Sequence, residues 1–157
     1  MNGIVVAVFV TPEAAQPMQQ VARALLEPGR GIVGDRYYSG RGTFSAKLKN
    51  RPDSEITLIE SEQIDYFNDL TGLALAYGAP RRNIVTRGIG LSEWVGARFR
   101  VGDVMLEGLR LCEPCAHLAA LVAKEVVPAL VHRAGLRARI VSAGTISAGD
   151  SIGAIAE

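Results

Sequence analysis

The sequence is short of the residues that build staples and spans. It has two cysteines, Cys112 and Cys115, one tryptophan, two histidines and three lysines. Two cysteines three positions apart make a poor structural crosslink, because so short a loop removes little entropy from the unfolded chain. That excludes a disulfide scaffold and fits a cytoplasmic protein with a reactive or metal-linked thiol. No apolar run approaches the ~20 residues that a membrane span requires, so no membrane partner is expected. The apolar start, Ile4 to Val10, has no positive charge before it and ends at Thr11-Pro12. It reads as an opening strand and not as a signal peptide. Charge of one sign is missing too. Seventeen Lys and Arg face sixteen Asp and Glu, a formal net charge of +1. Bulk charge therefore gives no reason to expect nucleic acid as a partner, while a local anion site stays open.

Lysine occurs only at Lys47, Lys49 and Lys124, and every other cation is arginine. The codon usage of a GC-rich genome accounts for much of this skew, so the positions of the arginines carry more information than their number. An arginine offers a planar fork of donors that suits phosphate and carboxylate. At 157 residues the chain fits one domain over 1–157, long enough to bury roughly 70% of its unfolded surface.

Short β-branched runs separated by glycine turns dominate the chain. The expected strands are Ile4 to Val10, Glu55 to Glu60, Asn83 to Thr86, Ala97 to Val101, Val104 to Leu106, Leu109 to Cys112, Arg137 to Ser142 and Ser151 to Ile155. Many short strands with frequent turns predict a mainly β fold, a barrel or a sandwich. Gly102-Asp103 and Gly149-Asp150 read as turns leading into strands, whereas Gly34-Asp35 sits in a denser cluster, Gly29 to Arg36. Helical signals are few. Ser61 to Leu70 places Ile64, Phe67 and Leu70 together, with Ser61 as N-cap and Thr71-Gly72 as the stop. Ala116 to Ala123 and a segment opened by Pro128 and ended at Gly135 are two shorter helices. The aperiodic stretch from Tyr37 to Asp53 is long for a compact domain, which marks it as functional or mobile.

The sharpest local feature is Leu111-Cys112-Glu113-Pro114-Cys115-Ala116-His117, where an expected strand gives way to an expected helix. A cysteine at a helix N-terminus meets unsatisfied N–H groups and the positive end of the helix dipole, which favour thiolate. Three other readings stand beside a functional thiol. A thioredoxin-type pair needs a neighbouring βαβ pattern, a structural zinc would draw on Cys112, Cys115, His117 and His132, and both cysteines could be buried and inert.

Five segments in order resemble the MOSC family, the C-terminal domain type of molybdenum cofactor sulfurases. They are Gly31-Ile32-Val33-Gly34-Asp35, Ile56 to Glu60 with the helix after it, Arg81-Arg82-Asn83-Ile84-Val85-Thr86, Val101-Gly102-Asp103 with Leu106-Glu107-Gly108, and Arg110 to Cys115. The resemblance runs from about Pro28 to the C-terminus. It implies a closed, twisted β-barrel with a few short helices and a link to the molybdenum cofactor. Cys115 matches the hallmark cysteine, implying a molybdenum ligand or a persulfide carrier, and Cys112 joins it as an additional thiol.

Arg81, Arg82, Asn83 and Arg87 are then the expected holders of the pterin phosphate. Gly34, with Gly31, allows close backbone approach to an anion, and Asp35 either orients Arg36 or serves as a turn residue. The resemblance further implies reduction of N-hydroxylated small molecules, or a carrier or delivery role without catalysis. The implied partners are a cysteine desulfurase or a redox protein, since no flavin or iron–sulfur signature is present. Pyridoxal phosphate, which belongs to a separate domain of the larger relatives, is not expected here, because no lysine suits a Schiff base.

Overall fold

The structure is a computed structural model and describes residues 2–47 and 52–155. Lys49 and the rest of 48–51, part of the long stretch singled out above, lie outside the described residues. Eleven strands are present among them: β1 (Asn2–Val10), β2 (Gln19–Val21), β3 (Arg23–Glu27), β4 (Gly31–Ile32), β5 (Ile56–Glu60), β6 (Ile84–Arg87), β7 (Arg98–Val101), β8 (Val104–Leu111), β9 (Leu136–Ile140), β10 (Gly144–Ser147) and β11 (Ser151–Ala154). Three helices accompany them: α1 (Ser61–Thr71), α2 (Ala116–Leu121) and α3 (Val126–Leu130).

Seven strands close into a barrel in the order β11-β7-β8-β9-β5-β6-β1, and β1 returns to β11. Closure rests on the ends of the chain, with Asn2 opposite Gly153 and Ile4 opposite Ser151. Strand β2 extends the sheet beyond β1, and β10, β3 and β4 form a separate three-stranded sheet. A barrel has no free edge along the closed ring, which removes the template for chain-to-chain pairing. All pairings are antiparallel except β5 with β6, which α1 connects. This β–α–β unit lies away from the two cysteines in sequence, so it does not supply a thioredoxin-like setting.

Period-2 patterning explains the barrel interior. Ile56, Leu58, Phe99, Val101, Val104, Leu106, Leu136, Ala138, Ile140 and Ile152 point into one core and are essentially solvent-free. Strand β5 is buried on both faces, because Ile59 packs outward with Ile64 of α1 and Val85 of β6. A third cluster joins Phe67 of α1 to Leu118, Val126, Leu130 and Ala134. These three short helices form a cap whose packing places the Cys115 region beside the barrel.

The structure corrects several sequence-based expectations. Val104 to Leu106 and Leu109 to Cys112 are one strand with a register shift at Gly108/Arg110, and not two. The shift breaks the alternation that a single strand would show. Glu60, not Ser61, is the N-cap of α1, and it makes no side-chain cap bond. Ser61 is already helical and fully buried, so its hydroxyl serves packing against Arg87 and not the helix end. Leu70 is 60% exposed while Ile64 and Phe67 are buried. Gly31 does approach a backbone group closely, but that group is the Glu55 carbonyl, 3.0 Å from where a Cβ would stand.

Glu55 illustrates how the barrel ties in its smaller sheet. Its Oε1 accepts from the Ile140 amide at 2.9 Å and from the Gly29 amide at 3.3 Å. Burial pushes its carboxyl above the ordinary 4.5, against the pull of those two amides. The folded state thus keeps a proton where the unfolded chain has lost it. That contribution is complete below 4.5 and is lost as the pH rises through the raised value. Glu55→Gln retains an acceptor and has no charge to desolvate. We expect it to flatten the decline of the urea unfolding midpoint from about pH 4.5 upward.

Candidate functional site

The end of the barrel where β5, β6 and β9 meet carries a polar cleft. Register explains its floor: Thr57 of β5 lies opposite Arg137 of β9, and Leu58 lies opposite Ile84, so Asn83 falls beside Thr57. Asn83 Oδ1 accepts from the Thr57 amide and the Thr57 hydroxyl, both at 3.1 Å, and its Nδ2 donates to the Phe9 carbonyl at 3.1 Å. The expected role of Asn83 in hydrogen bonding is thus largely spent on joining β1, β5 and β6 at the cleft.

Arginines surround that floor. Arg82 is buried, and its guanidinium donates from Nε to the Ala134 carbonyl at 2.8 Å and to the Cys112 carbonyl at 3.3 Å. Arg36 follows β4 and is also buried. Its guanidinium meets Asp35 Oδ1 at 3.2 Å and lies over the Tyr37 ring, 4.8 Å from the centroid. Asp35 further accepts from the Thr11 amide and the Tyr37 amide, so it orients Arg36 and fixes the turn together. Arg81 has left-handed backbone, φ 68°, and reaches the Gln16 carbonyl at 2.5 Å. Burial, then the charge of Arg36, hold Arg81 below the ordinary arginine value. Arg137 donates to the Asp53 carbonyl at 3.0 Å, while its buried Nε has no hydrogen-bond partner among the described residues.

The thiol stands at the rim. Cys115 is exposed and occupies the N-cap position of α2 with extended backbone, so its side chain is not tied into the helix. His117, the second residue of that helix, has Nε2 3.3 Å from the Thr43 hydroxyl, and Phe44 meets its ring edge-on at 5.9 Å. The segment carrying Tyr37, Thr43 and Phe44 therefore lines the cleft together with α2 and meets it at His117. Among the described residues Glu113 contributes the only carboxylate of the lining, and it is engaged by His132 at 2.6 Å and by the His132 amide at 2.7 Å. Four arginines against one paired carboxylate leave the cleft cationic. Its tight inner part measures about 60 Å³, room for a few waters or one small anionic group.

The structure thus brings Arg36, Arg81, Arg82, Asn83 and Cys115 together, with Asp35 directly behind Arg36. It does not bring in the rest of the expected site. Arg87 lies at the opposite end of β6, donating to Ser61 and Tyr77. Gly34 is outside the lining, and Cys112 is 1% exposed, reaching the site through its carbonyl on Arg82. Among the described residues no group of three His, Cys, Asp or Glu is arranged to hold a metal ion, so the four-ligand zinc alternative finds no geometry here. Tyr37, Thr43, Phe44, Ser54, Thr57, Glu113, His117 and Arg137 line the cleft without having been singled out as holders of an anion. For Arg137 a signal was present, since Leu136-Arg137-Ala138-Arg139-Ile140 alternates and sets both arginines on the outer face.

The model of the MOSC domain matches residues 45–153, more than half of the chain. The chain is a MOSC domain protein. Its barrel superposes on that of the YuaD protein from Bacillus subtilis with a TM-score of 0.80 at 16% identity, over 97% of this chain and 94% of that one. YiiM from Geobacillus stearothermophilus gives 0.73 at 16% identity, covering 98% of this chain and 75% of its own. YiiM from Escherichia coli gives 0.66 at 18% identity, covering 100% and 71%. At these identities the likeness establishes the MOSC fold and nothing further. No curated protein sequence matches this MOSC chain significantly. No helix among the described residues is long and apolar enough to cross a membrane.

Proposed function

We propose that this MOSC protein holds a molybdenum cofactor in the cleft, with Cys115 as the protein's ligand to the metal. The observation that carries the reading is the pairing of an exposed thiol with a cleft lined by Arg36, Arg81, Arg82 and Arg137. The donor set fits such a group. A soft metal accepts a single thiolate when its remaining donors come from its own organic ligand, which suits a lining with one thiol and, among the described residues, no group of three metal-binding side chains. Arg137, Arg81 and Arg36 supply charge-assisted donors for a phosphate, while Ser54 and Thr57 add hydroxyls to the lining. When bound, the cofactor supplies two-electron oxygen-atom chemistry, and N-hydroxylated small molecules are the substrate class.

The protein's own residues then bind, orient and screen. Asp35 holds Arg36 in place, Arg82 fixes the strand end that carries Cys112 and Cys115, and Phe44 limits access of water beside His117. The His117 imidazole both donates and accepts, so it can pass a proton to a leaving oxygen at the rim. Electrons come from a redox partner protein in this reading.

The test is metal and phosphorus analysis of the protein made in a host that synthesises the cofactor. The expected result is close to one molybdenum per chain with matching phosphorus. Absence of both would sink the reading. The openness of the rim favours one second reading, a sulfur carrier acting with a cysteine desulfurase. There the Cys115 thiolate attacks the outer sulfur of the donor persulfide, and the donor cysteine leaves as thiolate. A mass gain of one sulfur atom, absent from Cys115→Ser, would support it.

A further inference from the structure

A second cavity adjoins the cleft and shares one residue with it. It is a groove of about 730 Å³ between the outer face of β1, the 15–20 segment, the 75–81 segment and the end of α2. That size lies within the range of about 300–1,000 Å³ typical of small-molecule sites. Phe9, Met18, Leu75, Leu121 and Val122 give it apolar walls, and its only charged lining residue is Arg81. The groove is open to solvent, with Leu121 40% exposed.

Arg81 is placed to act as an anchor. It lines both cavities, so its guanidinium stands where the apolar groove meets the cysteine cleft. One hydrogen bond, to the Gln16 carbonyl, holds it, and a guanidinium has five N–H donors. Arg36 and Arg82 stand near it with like charge, and the Asp35 carboxylate that offsets them in part is paired with Arg36. Its left-handed backbone is uncommon for a residue with a Cβ, and such strain persists where the surroundings hold it. A long apolar trough ending in one forked cation matches a long apolar tail ending in one planar anion.

We propose that the groove binds a medium-chain carboxylate, its carboxylate paired with Arg81 and its alkyl tail lying along Phe9, Leu75 and Leu121. The site needs no metal and no cofactor; it shares Arg81 with the molybdenum reading, so decanoate is titrated against protein free of molybdenum and the two readings fail separately.

Calorimetric titration of the protein with hexanoate, octanoate, decanoate and decanol tests it. Affinity is expected to rise about fourfold per added methylene, the increment for burying a CH₂. Arg81→Gln should weaken decanoate at least about tenfold, the loss of a charged hydrogen bond, and leave decanol unchanged. Leu121→Glu, on the helix surface, should weaken decanoate while molybdenum content stays as in the unmodified protein. Affinity independent of chain length, or decanoate binding untouched by both substitutions, would overturn the proposal. So would a dimer that Leu121→Glu splits and decanoate does not bind, since the groove would then be a face for a second copy.

Discussion

Cys115→Ser is expected to keep the urea unfolding midpoint of the unmodified protein and to lose at least nine-tenths of the molybdenum bound per chain. The asymmetry follows from position. Cys115 is exposed, and serine is a better residue than cysteine for the N-cap place it occupies. Nothing in the packing opposes the exchange, whereas a neutral hydroxyl is a poor ligand for a soft metal. Cys112→Ser should behave in the opposite sense. Its side chain is 1% exposed, so a hydroxyl there must be desolvated, at a cost of about 1–3 kcal/mol if it finds no partner. Alkylation with iodoacetamide checks the assignment directly. The folded protein should take one adduct, on Cys115, and the unfolded protein two. Rapid modification of Cys112 in the folded state would contradict the burial on which this rests.

Gly135→Ala is the substitution with the largest expected effect on stability. Gly135 connects the helical cap to β9 with φ 113°, a conformation that costs a residue with a Cβ roughly 1–2 kcal/mol. A Cβ there would also stand 2.0 Å from the Leu58 carbonyl oxygen, deep in β5. Relieving that overlap requires β5 and β9 to part, although they pair from Ile56–Ala138 to Leu58–Leu136. The neighbouring contacts move with it. The Gly135 carbonyl accepts from the Cys112 amide at 2.7 Å, and the Ala134 carbonyl accepts from Arg82. A loss of more than about 3 kcal/mol is expected, in the range reserved for core disruption. Urea denaturation measures it. A loss below about 1 kcal/mol would mean that this crossing is looser than described.

Much of the barrel was readable because strands with one buried face alternate. Phe99 and Val101 against Arg98 and Arg100 placed β7 unaided. Strand β3 alternates in burial but not in residue type, since the exposed Leu25 sits between buried Ala24 and Leu26, and the other strands that escaped notice lacked any such signal. Strand β2 is three residues long with no buried side chain, β4 is two, and β10 carries a single buried residue, Ile146. The site was legible where residue type implies chemistry, as at Cys115, Arg81 and Arg82. It was illegible where proximity arises from closure. Arg87 looked equivalent to Arg82 in sequence, but the four residues of β6 carry it to the far end of that strand. Thr43, Phe44 and His117 meet across 74 positions at the Thr43–His117 contact, and no local pattern announces such a meeting. Cys112 and Cys115 differ for a related reason. The first closes a strand under the helical cap, and the second begins the cap itself.

The seam between β1 and β11 has a consequence for how the protein is made. A ribosome finishes β1 almost an entire chain before its neighbour β11 emerges. Throughout synthesis one side of an apolar strand, Ile4 to Val10, waits without its final partner, and pairing it demands the longest loop closure available. Sealing of the ring is therefore expected to be a late step in folding, because it joins the segments most distant in sequence.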